Sequence, residues 1–372
     1  MEPTSWTIGR IAGAPINVRP GVLVLIAVFS ALYFSSFQTY AGSFPVAVLC
    51  SVTLAVLLVI SVFLHEVAHV VVARRFKVEA REIGLTFLGG HAGFKNEFRQ
   101  PWHSFLVSVA GPLANIALYF AMWFGAELIP VSSSSAALAY VVVKNAGMMN
   151  LFLGLFNLVP GLPLDGGNAL SAIVWQFSKK RVTGMKIAAR SGQIVAIGFA
   201  LYTIGWPMLQ GRTPQTIYLM WSVLLVWVVW SGARGALQYA RHLEQVERVN
   251  LAELVRPALV TSADTTLAQI GPELVRTNAA VLVADDSGRP YAYADPEALY
   301  AVPAAVVEQT QLASVIVPFP EGTIQPTDVS AQHLFEELRT PHGVRRLYVL
   351  ADQSGLKGVV WTAELVRASG LG

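Results

Sequence analysis

The 372-residue chain is 54% hydrophobic and only 13% charged, and its mean hydropathy is +0.53. Soluble domains carry about 25% charged residues, so this composition excludes an ordinary soluble protein and indicates a membrane protein with room for a soluble appendage. The formal net charge of +3 favours neither nucleic acid nor an acidic substrate as a partner. The single cysteine, Cys50, excludes internal disulfides and cysteine zinc sites. Any metal ligands must therefore be His, Asp or Glu.

A short turn-rich stretch and two long apolar runs open the chain. Residues 6–18 alternate apolar positions around Gly and Pro, which predicts a small hairpin lying against the membrane domain. Val22–Phe37 is the first predicted span. Arginines precede it, as in a secretory signal peptide, but further apolar runs follow and a convincing cleavage site does not, which favours a span. Val46–Leu64 is the second span, and its helix is predicted to continue to Ala73.

A His-Glu-x-x-His motif stands at the end of the second run, at His65, Glu66 and His69. Residues four apart share one face of a helix, so the two imidazoles can bind a single ion. Glu66 lies beside the first histidine, where a carboxylate can take a proton from a metal-activated water. The motif could arise by chance, but ionisable groups inside a bilayer are usually paired or functional. We interpret it as a buried metal site.

The next segment, Ala80–Phe94, has β-branched and aromatic residues around Gly89 and Gly90, the pattern of a hairpin. Lipid cannot satisfy an open strand edge, so this hairpin is expected to line a cavity or to pack on protein. His91 within it could be a metal ligand, although a lone histidine in a turn is more often only a polar turn residue.

Four more spans are predicted in the apolar region. The third is Phe105–Ile129, whose small residues and internal proline suit close helix packing. The fourth, Ala136–Val159, is broken by a Pro-Gly-Leu-Pro stretch and resumes over Gly166–Phe177. The fifth and sixth are Ile194–Trp206 and Ile217–Trp230.

Basic residues predict the orientation of the spans. They follow the second, fourth and sixth spans, at Arg74, Arg75, Lys77, Arg81, Lys95 and Arg99, at Lys179, Lys180, Arg181, Lys186 and Arg190, and at Arg234 and Arg241. The opposite loops carry only Arg212. Under the positive-inside rule, the histidine motif and both termini are expected on the cytoplasmic side of the plasma membrane. Lys144, inside the fourth run, could snorkel to the outer surface or face the bundle interior.

The chain changes character near residue 250. Residues 251–372 are richer in charge and contain short alternating strands such as Ala280–Val283 and an amphipathic helix at Val329–Leu338, which predicts a soluble α/β appendage. Similar stretches beginning at Leu251 and Leu312 each open a unit of about sixty residues. The predicted order is a membrane domain, a polar helical linker and two tail units, at residues 1–240, 241–250, 251–309 and 310–372.

The histidine pair needs a third ligand from elsewhere in the chain. Asp165 follows the helix break and precedes Gly166 and Gly167, which permit a close approach of the backbone. Taken alone, an aspartate before a new helix could equally be an N-cap. Together with the histidine motif, the ligand interpretation is favoured.

Three motifs together resemble the site-2 protease family of intramembrane zinc metalloproteases. They are HEVAH at residues 65–69, AGPLAN at residues 110–115 and NLVPGLPLDGG at residues 157–167. With the tail, the resemblance covers nearly the whole chain, and the three motifs in combination are highly specific.

The resemblance implies functional roles for individual residues. It implies one zinc ion per chain, held by His65, His69 and Asp165, with Glu66 as the catalytic carboxylate. By the same match, Asn115 and Asn157 would lie near the substrate or the metal. They could equally be hydrogen-bonding residues between helices.

The tail resembles a pair of CBS domains, which points to the bacterial branch of the family that carries such a tail. Trp361 and Glu364 stand where nucleotide-binding CBS domains often have Thr or Ser and Asp. The corresponding part of the first unit, Ala292–Pro296, fits no better. Adenine-nucleotide binding is therefore not expected, whereas a regulatory role or homodimerisation through the tail is.

The sequence thus predicts a polytopic α-helical membrane domain with a small β-hairpin, followed by a soluble α/β tandem domain. We expect an intramembrane zinc metalloendopeptidase that cuts a transmembrane or membrane-proximal bond of a single-span membrane protein, for which the resemblance suggests an anti-sigma factor. A transporter or channel gated by the tail, or a catalytically silent scaffold, would also explain the spans. Zinc stoichiometry and ion flux would separate these classes.

Overall fold

The computed structural model describes residues 5–87, 89–94, 98–213, 216–271, 279–338, 345–353 and 355–370. The chain divides into two compact units, Met1–Ala240 and Arg241–Gly372.

Six helices in the described part of the chain are long and apolar enough to cross a membrane, as judged from length and composition. The first-unit helices are α1 Gly21–Ala41, α2 Phe44–Arg75, α3 Pro101–Ala126, α4 Ser134–Asn157, α5 Asp165–Ser178, α6 Arg181–Ala200, α7 Trp206–Leu209 and α8 Thr216–Glu247. A π-helical segment, Leu201–Gly205, joins α6 to α7. The helix α5 is too short to span, and the other long helices confirm the six predicted spans.

The helix that contains the fifth predicted span begins before the apolar stretch from which the span was predicted. The helix α6 starts at Arg181 instead of Ile194, so Lys186 and Arg190 lie on a helix and not in a loop. The reason is tertiary packing, because a Cβ on Gly184 would lie only 2.2 Å from the Ser171 carbonyl oxygen of α5. Backbones that touch so closely hold this less apolar stretch in helical form, which composition alone does not indicate.

Both predicted hairpins are confirmed, and they combine into one sheet. The strands are β1 Trp6–Ile11, β2 Ala14–Val18, β3 Ala80–Thr86 and β4 Gly89–Phe94, in the order β1-β2-β3-β4. The first hairpin joins the second through parallel pairing of β2 with β3. Ile16 and Ile83 are buried against Val70 of α2, which fixes the sheet on the membrane helices. The outer edge of β4 has no strand partner among the described residues.

Lys144 of α4 contacts both a carboxylate and an aromatic ring. Its ammonium forms an ion pair with Glu127, just beyond the end of α3, and lies 3.6 Å from the ring centroid of Trp123. An ammonium over an aromatic face is stabilised by the ring quadrupole, and the carboxylate compensates its charge. The side chain is thus held against the end of α3 and is 12% exposed.

The second unit contains two sheets flanked by short helices. The strands are β5 Ala258–Thr261, β6 Ala280–Ala284, β7 Pro290–Ala294 and β8 Ile316–Pro318 in one sheet, and β9 Ile324–Gln325, β10 Leu347–Asp352 and β11 Gly355–Trp361 in the other. The helices are α9 Leu251–Leu254, α10 Pro296–Ala301, α11 Ala331–Leu338 and α12 Thr362–Ala368. The predicted linker, residues 241–250, is helical as far as Glu247.

The two halves of this unit interlock. Strand β8 follows residue 310 in the chain but pairs with β7 of the first sheet. Arg256, which precedes β5, forms a bridge with Val359 of the second sheet. The strand at Ala280–Val283 is buried at all four residues and does not show the half-exposed alternation expected from its sequence. Its sheet is therefore covered on both faces.

Candidate metal centre

Two histidines and one aspartate converge between α2 and the start of α5. His65 and His69 are 5% and 6% exposed, and their Nε2 atoms lie 3.1 Å apart. Asp165 Oδ2 lies 3.0 Å from Nε2 of His65 and 3.3 Å from Nε2 of His69. Among the described residues, this is the group of three whose geometry could hold a metal ion.

The spacing of these three atoms fits a tetrahedral metal. Ligand atoms about 2.0–2.1 Å from a zinc ion at tetrahedral angles lie about 3.3 Å from one another, and the observed separations of 3.0–3.3 Å are close to this. A glycine on α3 leaves the adjoining space open, because a Cβ on Gly111 would lie 2.4 Å from His69 Nε2 and 2.5 Å from His65 Nε2. Two imidazole nitrogens and one carboxylate oxygen match the three protein donors typical of a catalytic zinc site.

Each imidazole is oriented by an acceptor on α3. Nδ1 of His65 lies 3.0 Å from Asn115 Oδ1, and Nδ1 of His69 lies 2.6 Å from the Val107 carbonyl oxygen. Because both partners are acceptors, we assign the proton to Nδ1 in both rings, which turns the Nε2 lone pairs toward the metal position. Val107 acts through its backbone, so no side-chain pattern in the sequence could have revealed it.

Glu66 lies beside the two histidines and under the second hairpin. Its side chain is buried, and a Cβ on Gly90 of β4 would lie 2.8 Å from its Oε1 and 2.6 Å from its Cγ. Strand β4 therefore rests directly on this carboxylate. A side chain at this position would displace Glu66, and the sequence pattern had suggested Gly90 merely as a turn residue.

Asp165 lies where a third ligand would be needed and does not occupy the cap position of its helix. The N-cap position of α5 belongs to Leu164, and Asp165 is the first residue of the helix. Its carboxylate instead contacts the two imidazoles. Gly166 and Gly167 allow the start of α5 to pack directly on the loop backbone before it, since a Cβ on Gly166 would lie 2.2 Å from the Leu158 carbonyl oxygen.

A cavity of about 600 Å³ opens onto Glu66 and the three candidate ligands. Strand β4 forms one wall, Asn157 at the end of α4 lies on another, and Phe98 and Phe156 contribute apolar surface. The two predicted asparagines thus have different positions. Asn157 faces the cavity, whereas Asn115 is fully buried and contacts His65.

His91 is not part of the three-residue group. It lies on β4, lines the cavity, and its Nε2 is 3.4 Å from Glu82 Oε1 on the neighbouring strand. Asn17 of β2 donates a hydrogen bond of 2.7 Å to the other oxygen of Glu82, and this bond holds the pKa of Glu82 below its usual value. The histidine is therefore a member of a polar row across the sheet.

Comparisons with known proteins agree with this arrangement. The model of Peptidase family M50 matches residues 53–142 and 127–201, which include His65, His69 and Asp165. The candidate zinc metalloprotease sll0528 of Synechocystis is 33% identical over 253 residues, which are 67% of this chain and 64% of that protein. The candidate zinc metalloprotease Rip3 of Mycobacterium tuberculosis is 31% identical over 268 residues, 71% of this chain and 64% of that protein.

The chain thus spans 64% of the length of each of these two relatives. A solved structure, the site-2 protease from Methanocaldococcus jannaschii, superposes with a TM-score of 0.44 at 24% identity, covering 63% of this chain and 95% of that one. The matched residues carry both histidines, the glutamate between them and the aspartate of the broken helix. On the sequence matches, this chain belongs to peptidase family M50, the family of the site-2 proteases.

Proposed function

We propose that this protein is a zinc metalloprotease that cuts a transmembrane or membrane-proximal peptide bond of another membrane protein. One observation carries the proposal. His65, His69 and Asp165 point three donor atoms at a common space, with Glu66 beside it, inside a bundle of membrane-length helices. Ionisable groups in such a place are retained for a function.

The chemistry follows from the roles that these residues can take. Zinc bound by the three ligands would supply Lewis-acid activation of a water and of the scissile carbonyl. Glu66 takes a proton from the attacking water and gives it to the leaving amine nitrogen. Asn115 and the Val107 carbonyl hold the two imidazole rings in a fixed orientation during the reaction. The apolar walls of the cavity limit the water that reaches the reaction.

The edge of β4 suits a substrate in extended form. A helical substrate hides its carbonyl groups in its own hydrogen bonds, so it must unwind locally before attack. Strand β4 has a free edge among the described residues, and its Gly90 contacts Glu66. A substrate strand that pairs with this edge would bring its backbone to the catalytic carboxylate.

The orientation and the substrate are further parts of the proposal. Basic residues at the inner ends of α2 and α8, such as Arg74, Arg75 and Arg241, favour a cytoplasmic position for the metal centre and for both termini in the plasma membrane. Water and protons would then enter from the cytoplasm. A single-span membrane protein, such as an anti-sigma factor, is the substrate class that we propose.

We also propose that the tail is a CBS-like tandem that regulates or dimerises the enzyme without binding adenine nucleotides. Arg256 forms an ion pair of 3.0 Å with Glu364, beside Trp361. Trp361 and Glu364 stand where nucleotide-binding CBS domains often have Thr or Ser and Asp. These two residues argue against adenine-nucleotide binding by the tail.

Reconstitution in liposomes tests the function. Full-length protein with a single-span model substrate is expected to cut it, to lose activity on chelation and to regain it when zinc is restored. No ion flux should accompany zinc loading. Flux without cleavage would support the transporter class and overturn the protease proposal.

A further inference from the structure

The loop that delivers Asp165 lies against two other helices. Residues 158–164 connect α4 to α5, and the last of them, Leu164, precedes the candidate ligand. The position of a ligand that directly follows a loop depends on how that loop is held, because a displacement of about 1 Å is enough to disable a site. The contacts that fix this loop are therefore part of the metal centre.

The first helix is α6. The Leu162 amide donates to the Ala188 carbonyl oxygen over 3.1 Å, and the Ser191 hydroxyl donates to the Pro160 carbonyl oxygen. Gly192 completes the contact, because a Cβ there would lie 2.1 Å from the Leu162 carbonyl oxygen. The loop backbone and the helix backbone thus touch, and no side chain fits between them.

The second helix is α8. A Cβ on Gly232 would lie 2.5 Å from Cγ of Pro163 and 2.9 Å from its Cβ and Cδ. A proline ring has no flexible end that could move aside. Any larger residue at this position must push the loop, and with it the residue two places later, Asp165.

We propose that Gly192 and Gly232 are positioning residues for Asp165. They form a seat, made of one glycine on α6 and one on α8, that sets how far the loop advances toward the two histidines. This inference rests on the proposed function in that Asp165 is taken as a zinc ligand. Neither glycine touches the metal or the substrate, and both act through the position of the Asp165 carboxylate.

Each helix carries its own matched control. Gly198 on α6 and Gly235 on α8 have open space at the Cβ position, with nothing within 4 Å. Alanine is a better helix former than glycine, so a substitution at these positions tests the helix effect alone. Gly198→Ala and Gly235→Ala should leave the seat unchanged.

The test measures zinc affinity of the purified full-length protein by competition with a chelator. Gly192→Ala and Gly232→Ala are expected to weaken zinc binding about 10- to 100-fold, as for other changes outside the ligand set. Gly198→Ala and Gly235→Ala are expected to bind zinc as the wild-type protein does. Wild-type affinity in both seat variants would overturn the proposal.

A double substitution separates positioning from general damage. In an Asp165→Ala background, adding Gly232→Ala should cause no further loss of zinc affinity, because the ligand through which it acts is already gone. A further loss equal to that seen in the wild-type background would overturn the proposal. If neither seat variant folds, Ser191→Ala decides, since it removes only one hydrogen bond to the loop. Lower zinc affinity in that variant supports the seat, and unchanged affinity overturns it.

The same measurements keep this inference apart from the proposed function. Wild-type protein that binds zinc but cuts no substrate would overturn the protease proposal and leave the seat standing on its affinity data. Wild-type protein that binds no zinc would overturn both.

Discussion

Two regions supply the candidate metal centre, and they are built in different ways. On α2, His65 and His69 are one helical turn apart, so the periodicity of a helix places both imidazoles on one side. Asp165 lies 100 residues after His65, at the first position of α5 and directly after a loop held by other helices. One region is specified locally and the other by tertiary packing. Variants that disturb the histidine pair, Asp165 or both test whether the two regions form one metal centre.

The largest effect is expected where both regions meet. Gly111→Ala would place a methyl group 2.4–2.5 Å from the Nε2 atoms of both histidines, in the space left for the ion. We expect zinc content to fall to background. Gly125→Ala on the same helix, with nothing within 4 Å of its Cβ position, is the control. Metal analysis of the purified proteins checks this, and a normal zinc content in Gly111→Ala would show that the ion lies elsewhere.

The local half of this centre was predictable from the sequence. The spacing of His65 and His69, at the end of a membrane-length apolar run, indicated both the helix and the approach of the two imidazoles on one of its faces. The spans and both hairpins were predictable for the same reason, since each depends on short-range pattern.

The non-local half was less accessible. The ligand interpretation of Asp165 was favoured over the helix-cap interpretation only in combination with the histidine motif. Its contacts with the two histidines join residues that are far apart in the sequence. The joining of the two hairpins through β2 and β3, and the early start of α6 at Arg181, also depend on packing between distant segments. Lys144 illustrates the same limit, because Trp123 lies on α3 and its partner Glu127 lies just beyond the end of that helix.

The next effect separates catalysis from metal binding. Gly90→Ala would force the Glu66 side chain away from its position, since the new Cβ would lie 2.6–2.8 Å from its atoms. We expect cleavage to fall about 100-fold, the cost of a displacement of about 1 Å, with zinc retained. Gly93→Ala on the same strand makes only ordinary contacts, the nearest at 3.7 Å, and should cleave normally. Equal cleavage rates in Gly90→Ala and Gly93→Ala would show that β4 does not position Glu66.

A smaller effect is expected from the support of the helical half. Asn115→Ala removes the acceptor for Nδ1 of His65, so the ring loses its fixed orientation. Zinc affinity should fall about 10- to 100-fold, while Asp165 remains in place. Chelator competition measures this. An unchanged affinity would mean that helix geometry alone orients the imidazole.

The smallest effect is expected from the tail. Truncation after Arg248 removes the second unit beyond α8 and should leave zinc bound, while the cleavage rate changes by about fivefold, the low end of regulatory couplings. Added ATP should not alter the full-length rate, because Trp361 and the Glu364 carboxylate, paired with Arg256, stand where a nucleotide-binding tail would have other side chains. Equal rates with and without the tail would contradict its regulatory role, and micromolar ATP binding would contradict the proposal that the tail binds no adenine nucleotide.

The most direct test of the central claim is to measure zinc content and cleavage in the same preparation of Glu66→Gln. The amide keeps the shape of the side chain but cannot take a proton from water. The account predicts wild-type zinc content and no cleavage, with Glu82→Gln on the adjoining sheet as a control that retains both. Normal turnover by Glu66→Gln would contradict the proposed mechanism.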